Sequence, residues 1–577
     1  MVFQTASLML LVIATVRPQE LADIPPCNSL VYCSGPLLEA AQKANIYKDS
    51  KTFVDLQMIR PEDEVLRAFN NLTDIANMTK FVDEYFVGPG TEFESWNPSD
   101  WHDNPYFLKK IKDSQLVAWA GEIHGLWKEL GRKIKNEVNS TPDQFSLVYV
   151  DSPFIVPGGR FREFYYWDSY WVVKGLLISE MYSTVRGMIS NFVNIVRRYG
   201  FVPNGGRVYF EKRSQPPLLI PIVHEYLKAS RDIAFVSEIM DDLETEYEFW
   251  VKNRHVTVSV DGVNHTLNQY NVKMGMPRPE SYREDVATAH GLNKDDAAEL
   301  FSNIASACES GWDFSSRWFN SSNELISART KNIIPVDLNS FLCQNEKIMS
   351  DLYWELGETS KAILFHDAYE RRRNAIHAVL WNDVEGSWFD YDIENNSFNN
   401  KFFASNVAPW WANCYGSGYG NVEIEGKVFE YLKRTGVLDY PGGVPTSLVN
   451  TGEQWDYPNA WPPLQDMVIE ALGSSVLPEA RDAAVRLAQN WTITNWRAYK
   501  LNEVMYEKYD VRNQGVPGHG GEYEVQAGFG WTNGVVLTLL DRYGHLLASD
   551  AEEPVSSAPT HRIFMATLYA LLLIHLG

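Results

Sequence analysis

From about Leu38 to Leu547 the chain carries one amphipathic helical period after another, with no Gly/Ser-rich or Pro-rich linker and no long single-sign charge block between them, and this unbroken repetition constrains the fold most. Leu176, Met181, Val185, Met188, Ile189, Phe192, Val193 and Val196 fall on one broad face, and Gly200 follows as a stop. That pattern predicts a helix over 176–196. Similar faces recur around Ala297, Leu300, Phe301, Ile304 and Cys308, from Ala368 to Leu380, from Val428 to Leu432 and from Leu464 to Leu472. Between them lie loops rich in Trp, Asp, Gly and Pro, such as Trp388-Phe389-Asp390-Tyr391 and Gly442-Gly443-Val444-Pro445. Loops carried on a rigid scaffold are where function concentrates. The pattern predicts an all-α protein with one domain over 38–547: a helical toroid whose wall is paired helices and whose cleft is built from loops at one end. A chain of 577 residues has room for several domains, but 45% hydrophobic and 22% charged residues describe an ordinary globular chain with a large core.

The net charge of -23 repels phosphate backbones and anionic lipid, which argues against nucleic acid and for a neutral substrate. Residues 1–16 are apolar and too short to span a bilayer, so they read as a signal peptide, although no Lys or Arg precedes the apolar run. Sequons at Asn71, Asn77, Asn139, Asn264, Asn320, Asn395 and Asn490 suit a secreted glycoprotein. The far end, 548–577, has small residues at Ala548 and Ser549, a polar spacer from Asp550 to Arg562 and an apolar tail from Met565 to Leu576. This is the spacing of a GPI-anchor signal, with a last core helix as the alternative. The expected location is therefore secreted or on the outer face of the plasma membrane. Five cysteines, Cys27, Cys33, Cys308, Cys343 and Cys414, leave at least one free or paired between chains, and Cys27 with Cys33 is the expected bridge. No Cys/His cluster has zinc-ligand spacing, so neither a metal nor a cofactor is expected.

Several loops mix glycine, guanidinium, carboxylate and aromatic groups, which is the chemistry of a sugar pocket. Glycine lets backbone approach a ligand, arginine grips vicinal hydroxyls, and aromatic faces stack on pyranose rings. The densest is Pro157 to Trp171, with Arg160, Trp167 and Asp168. Asn204-Gly205-Gly206-Arg207 leads to Arg213-Ser214-Gln215, and Arg278-Pro279-Glu280 follows; taken alone, each of these also fits a surface turn with solvated arginines. In Glu309-Ser310-Gly311-Trp312-Asp313, Gly311 is a candidate helix stop. Asp313 then faces the negative end of a helix dipole with Glu309 nearby, and both disfavour its ionised form. The run from Tyr506 through Glu507 to Gly518-His519-Gly520-Gly521-Glu522-Tyr523 and Gly528-Phe529-Gly530-Trp531 lacks phosphate-loop spacing. Glu507 and Glu522 thereby become candidate partners for Asp313 in a two-carboxyl glycosidase.

Two long motifs turn this chemistry into a resemblance. Pro157-Gly-Gly-Arg160-Phe-x-Glu163-x-Tyr165-x-Trp167-Asp168-x-Tyr170 and Gln454-Trp-Asp-Tyr-Pro-Asn-Ala-Trp-Pro-Pro463 resemble the two signatures of the trehalases of glycoside hydrolase family 37. The similarity covers roughly Leu38 to Leu547. It implies an (α/α)6 barrel that hydrolyses α,α-trehalose to two glucose molecules with inversion, Asp313 as general acid and Glu507 as general base. It implies sugar contacts at Arg160, Trp167, Asp168, Asn204, Arg213, Ser214, Gln215, Arg278, Pro279, Glu280, Gly311 and Glu522. Arg160, Trp167 and Asp168 are expected on one glucose unit, and the two reacting carboxyls about 6.5 to 9.5 Å apart. Arg160, Arg213 and Arg278 would pull the Asp313 pKa down against the effects that raise it. His519 departs from the family's usual glycine, with loop closure or pH dependence as the properties it would alter. Another (α/α)6 glycosidase, a disaccharide phosphorylase, or a catalytically silent sugar-binding protein on this fold remain the other readings.

Overall fold

A computed structural model describes residues 20–549 apart from 73, 321 and 417–419. The expected signal peptide lies outside the described residues, as does the expected anchor signal from residue 550 onward. The helices that build the body are α1 (Ser114–Leu130), α2 (Asp168–Ile178), α3 (Tyr182–Tyr199), α4 (Leu219–Ser230), α5 (Ile233–Asn253), α6 (Lys294–Glu309) and α7 (Val336–Glu355). They continue with α8 (Thr359–Leu380), the single turn α9 (Ala408–Trp411), α10 (Gly420–Thr435), α11 (Pro462–Gly473), α12 (Pro478–Asn502) and α13 (Gly530–Tyr543).

Packing sorts these helices into two rings. α2 packs on α4, α4 on α7, α7 on α9, α9 on α11, α11 on α13, and α13 back on α2, which closes an inner ring. Outside it, α1 packs on α13, α3 on α2 and α4, α5 on α3 and α4, α8 on α7, and α12 on α11 and α13. α10 lies over the short strand Ser387–Trp388. The result is an (α/α)6 barrel. The split follows from hydropathy: α2 is buried from Asp168 to Leu177 and α11 almost throughout, whereas α3 buries only one stripe. A helix apolar all round belongs inside, and an amphipathic one faces water.

Closure of the ring depends on small residues. An added Cβ at Gly534 of α13 would stand 2.0 Å from the Trp171 carbonyl oxygen of α2, and one at Gly175 would stand 2.7 Å from the Gly534 Cα. The first and last inner helices therefore touch backbone to backbone.

The helix expected over 176–196 is two. α2 ends at Ile178, the chain turns through Glu180 at φ 62°, and α3 starts at Tyr182 and stops at Gly200, φ 78°. Met181 is buried in that turn, so the apolar period runs across a break it does not reveal. The other predicted faces fall inside α6, α8, α10 and α11.

Residues from Cys27 to Phe86 form a second apolar cluster that rests on Tyr165, Tyr209 and Phe210. Buried ion pairs fasten it to the barrel loops: Lys51 bonds Asp55 at 2.6 Å and Glu163 at 2.8 Å, while Arg207 bonds Glu163 at 3.0 Å and Glu92 at 2.8 Å. Cys27 bonds Cys33 as expected, and Cys343 bonds Cys414. Cys308 is the free cysteine and is buried, which leaves no thiol on the described surface for pairing between chains.

Candidate active site

Four of the inner helices, α2, α4, α11 and α13, present their N-terminal ends to one cavity. Trp167 and Asp168 begin α2, Gln215 precedes α4, Trp461 caps α11 and Phe529 caps α13, and all five line it. Of the residues expected from the sequence, Trp167, Asp168, Asn204, Arg213, Gln215, Gly311, Asp313 and Glu507 line it. Arg160, Glu280 and Glu522 line an adjoining cavity, and Tyr523 is a wall of both. Arg160 is thus separated by Tyr523 from Trp167 and Asp168.

Ser214, Arg278 and Pro279 line neither cavity and bond neighbouring groups instead. The Ser214 hydroxyl donates to the Val202 carbonyl at 2.6 Å. Arg278 grips Asp285 and reaches Glu522 at 2.7 Å. The Pro279 carbonyl accepts from Gln42 at 3.4 Å.

Asp313 follows the end of α6, where Gly311 sits at φ 77° and a Cβ would fall 2.6 Å from the Trp167 ring. Only glycine suits that turn. Burial is the largest influence on Asp313 and raises its pKa; Arg278 lowers it, Glu522 raises it and Arg213 lowers it, with the outcome about 7. The contribution expected from Glu309 is absent from these causes. Glu309 is held at 2.7 Å through each oxygen by Arg254, and it also accepts from the Ser214 N–H. The remote carboxylate that acts on Asp313 is Glu522. Asp168 is driven well above the usual carboxyl range by burial, with Glu507 and Asp313 adding to the rise.

Glu507 is 1% exposed and accepts at both oxygens, from the Tyr523 hydroxyl at 2.8 Å and from Lys508 Nζ at 2.9 Å. Arg213 is 3% exposed and gives one N–H to Glu280 at 2.5 Å, while its Nε and Nη1 have no protein partner. Two buried guanidinium donors are therefore free to meet hydroxyls in the cavity. Arg160 makes a two-point pair with Asp49 at 2.7 and 2.8 Å and lies 4.7 Å over the Tyr523 ring. In this structure its fork is taken up by a carboxylate.

Tryptophans form the apolar wall. Trp455 and Trp461 stack with centroids 3.9 Å apart, Trp312 stacks on the other side of Trp455, and Trp531 meets Trp167 and Trp461 edge-on. Phe161, Tyr165, Cys308, Trp455, Trp461, Tyr523, Phe529 and Trp531 line the cavity without having been expected there. All but Cys308 stand in the two long motifs or the glycine-rich run, and that membership is the signal by which the sequence could have marked them. The loop 388–391 does not line the cavity: Asp390 is buried against Arg317 and the N–H of Val336. Gly442 to Val444 likewise pack on Gln465 and Val511. At His519, both contacts to Asn459 come from backbone, and the exposed side chain does not line the cavity.

A closed double ring of helices, with the carboxyls of Asp168, Asp313 and Glu507 in an aromatic cavity at one end, fits a glycoside hydrolase of the α/α-barrel class. A family model described as trehalase matches residues 45–544. The chain is 50% identical to the trehalase of Homo sapiens over 538 residues, 92% of each chain. It is 46% identical to that of Apis mellifera, covering 94% of this chain and 89% of the other. Among solved structures it is similar to the neutral trehalase of Saccharomyces cerevisiae, with a TM-score of 0.54 and 23% identity over 68% of this chain and 75% of that one. The chain belongs to the trehalase family.

Proposed function

We propose that the protein hydrolyses α,α-trehalose to two glucose molecules with inversion at the attacked carbon. Asp313 gives its proton to the bridging oxygen, and Glu507 deprotonates a water on the opposite face of the ring. The observation that carries this reading is the contrast between two carboxyls in one cavity. Asp313 is pushed up to about 7 by burial, so it holds a proton near neutrality, while Glu507 receives donors at both oxygens as a carboxylate does. The free donors of Arg213, together with Trp167, Asp168, Asn204, Gln215 and Gly311, would hold the inner glucose. Arg160, Glu280 and Glu522 would meet the second across Tyr523, and Ser214, Arg278 and Pro279 would fix these groups from behind.

Asp313→Asn and Glu507→Gln should each lower kcat by about 10² to 10⁴ in a protein that still folds by circular dichroism. Near-normal turnover in either variant would refute that residue's role. Turnover in phosphate-free buffer separates hydrolysis from phosphorolysis. We also place the protein outside the cell or on its surface. Two disulfides and exposed asparagines at Asn71, Asn77, Asn139, Asn264, Asn320 and Asn395 support that location. Among the described residues no helix is long and apolar enough to cross a membrane. Release of activity from cells by a GPI-specific phospholipase tests the anchor expected from 548–577.

A further inference from the structure

Three loops meet behind the two carboxyls: the one after α6 that carries Asp313, the one before α11 that carries Gln454, and the one after α12 that carries Glu507 and Lys508. The Gln454 amide joins them. Its Nε2 donates to the Asp313 carbonyl at 2.5 Å, and its Oε1 accepts from Lys508 Nζ at 3.0 Å. Lys508 in turn donates to Glu507 Oε2 at 2.9 Å. The arrangement has one direction only. A flipped amide would set its NH2 against the ammonium and its oxygen against the Asp313 carbonyl. Gln454 is itself pinned, because its backbone carbonyl accepts from Trp461 Nε1 at 2.9 Å and from Asn459 Nδ2 at 3.0 Å.

Lys508 is fully buried, with its Nζ 4.8 Å over the Trp461 ring and 5.2 Å over Tyr523. An apolar side chain would fill that space at lower desolvation cost. An ammonium here does what an apolar group cannot: it binds the Glu507 carboxylate and the Gln454 amide together.

We infer that Gln454 and Lys508 are positioning residues that act as one unit, holding Glu507 at a fixed distance and angle from the Asp313 segment so that a water fits between base and sugar. The inference rests on the roles proposed above for Asp313 and Glu507. Neither residue lines the cavity: Lys508 acts through the Glu507 carboxylate that it holds, and Gln454 acts through Lys508. Their effect is on geometry, to which an in-line attack is steeply sensitive, about 100-fold for a displacement near 1 Å.

The test is a double-mutant cycle read in kcat and KM on trehalose, with Lys508→Met, Gln454→Met and the pair. Each single variant should lose about 100-fold in kcat with KM changed by less than about threefold. The double should lose little more than the worse single, because breaking one link already frees the base. Losses that multiply, an effect confined to KM, or unchanged kcat in a folded variant would overturn the inference. Should Lys508→Met fail to fold, Gln454→Met keeps the volume, removes the link, and should show the same loss in kcat with KM held. Glu507→Gln measured alongside separates the two levels. If that variant turns over normally, the base assignment fails. If it is inactive while Lys508→Met and Gln454→Met keep normal kcat, only the positioning role fails.

Discussion

The Asp313 carboxyl holds a proton near neutrality because burial outweighs two arginines. Burial and Glu522 raise its pKa, Arg278 and Arg213 lower it, and the value settles at about 7 against an ordinary 3.8. A carboxyl whose pKa is raised on folding leaves the fold unpenalised below its unfolded value, and stability is lost as pH rises through the folded value. The window is therefore about pH 4 to 7. Asp313→Asn, which never ionises, should unfold at a higher temperature than the native protein at pH 8, and the gap should close by pH 4. An equal gap at both pH values would show that Asp313 is not ionised against its surroundings. That Asp313 and Glu507 would share a cavity was legible because each stands in a distinctive run. Asp49 carried no signal, since its contact with Arg160 joins segments 111 residues apart. Tyr523 stands in the glycine-rich run, yet one ring among 29 tyrosines, 28 phenylalanines and 19 tryptophans cannot be told from core by sequence alone.

Among the helices, exposure explains part of the legibility. α6 and α11 were marked by apolar runs although most of each is buried, α3 and α8 show a period because one face meets water, and α2 and α13 are buried nearly all round with no polar face to mark them. Their signal is instead the small residues at the crossing. Gly534→Ala should destabilise the fold by about 3 kcal/mol or more, because the added Cβ meets the Trp171 backbone rather than a movable side chain. Soluble yield and a denaturant melt check it, and a change under about 1 kcal/mol would mean that the helices can part freely. The Cys343–Cys414 bridge ties α7 to the residues just beyond α9 across a separation of 71 residues. Chain entropy assigns such a loop about 4 kcal/mol, so Cys343→Ser with Cys414→Ser should lower unfolding free energy by about 2 to 4 kcal/mol. Equilibrium unfolding in guanidinium measures it, and unchanged stability would contradict the bridge.

For the whole molecule, helical periodicity suggested a toroid with active loops but did not by itself prove that the ring closes. Closure depends on α13 meeting α2, more than 350 positions earlier, through glycines whose role appears only in three dimensions. Closure matters for function because it sets the N-terminal ends of α2, α4, α11 and α13 around one cavity, which Asp313 and Glu507, far apart in the chain, share. The site works as a whole: aromatic rings wall the cavity, Arg213 offers donors with no protein partner, and the carboxyls occupy unlike surroundings. The central claim is single-displacement hydrolysis of trehalose, and its most direct test is the anomeric composition of the first product, followed by NMR as purified protein acts on α,α-trehalose. One α-glucose and one β-glucose in equal early amounts is the predicted result; two α-glucose molecules would contradict it.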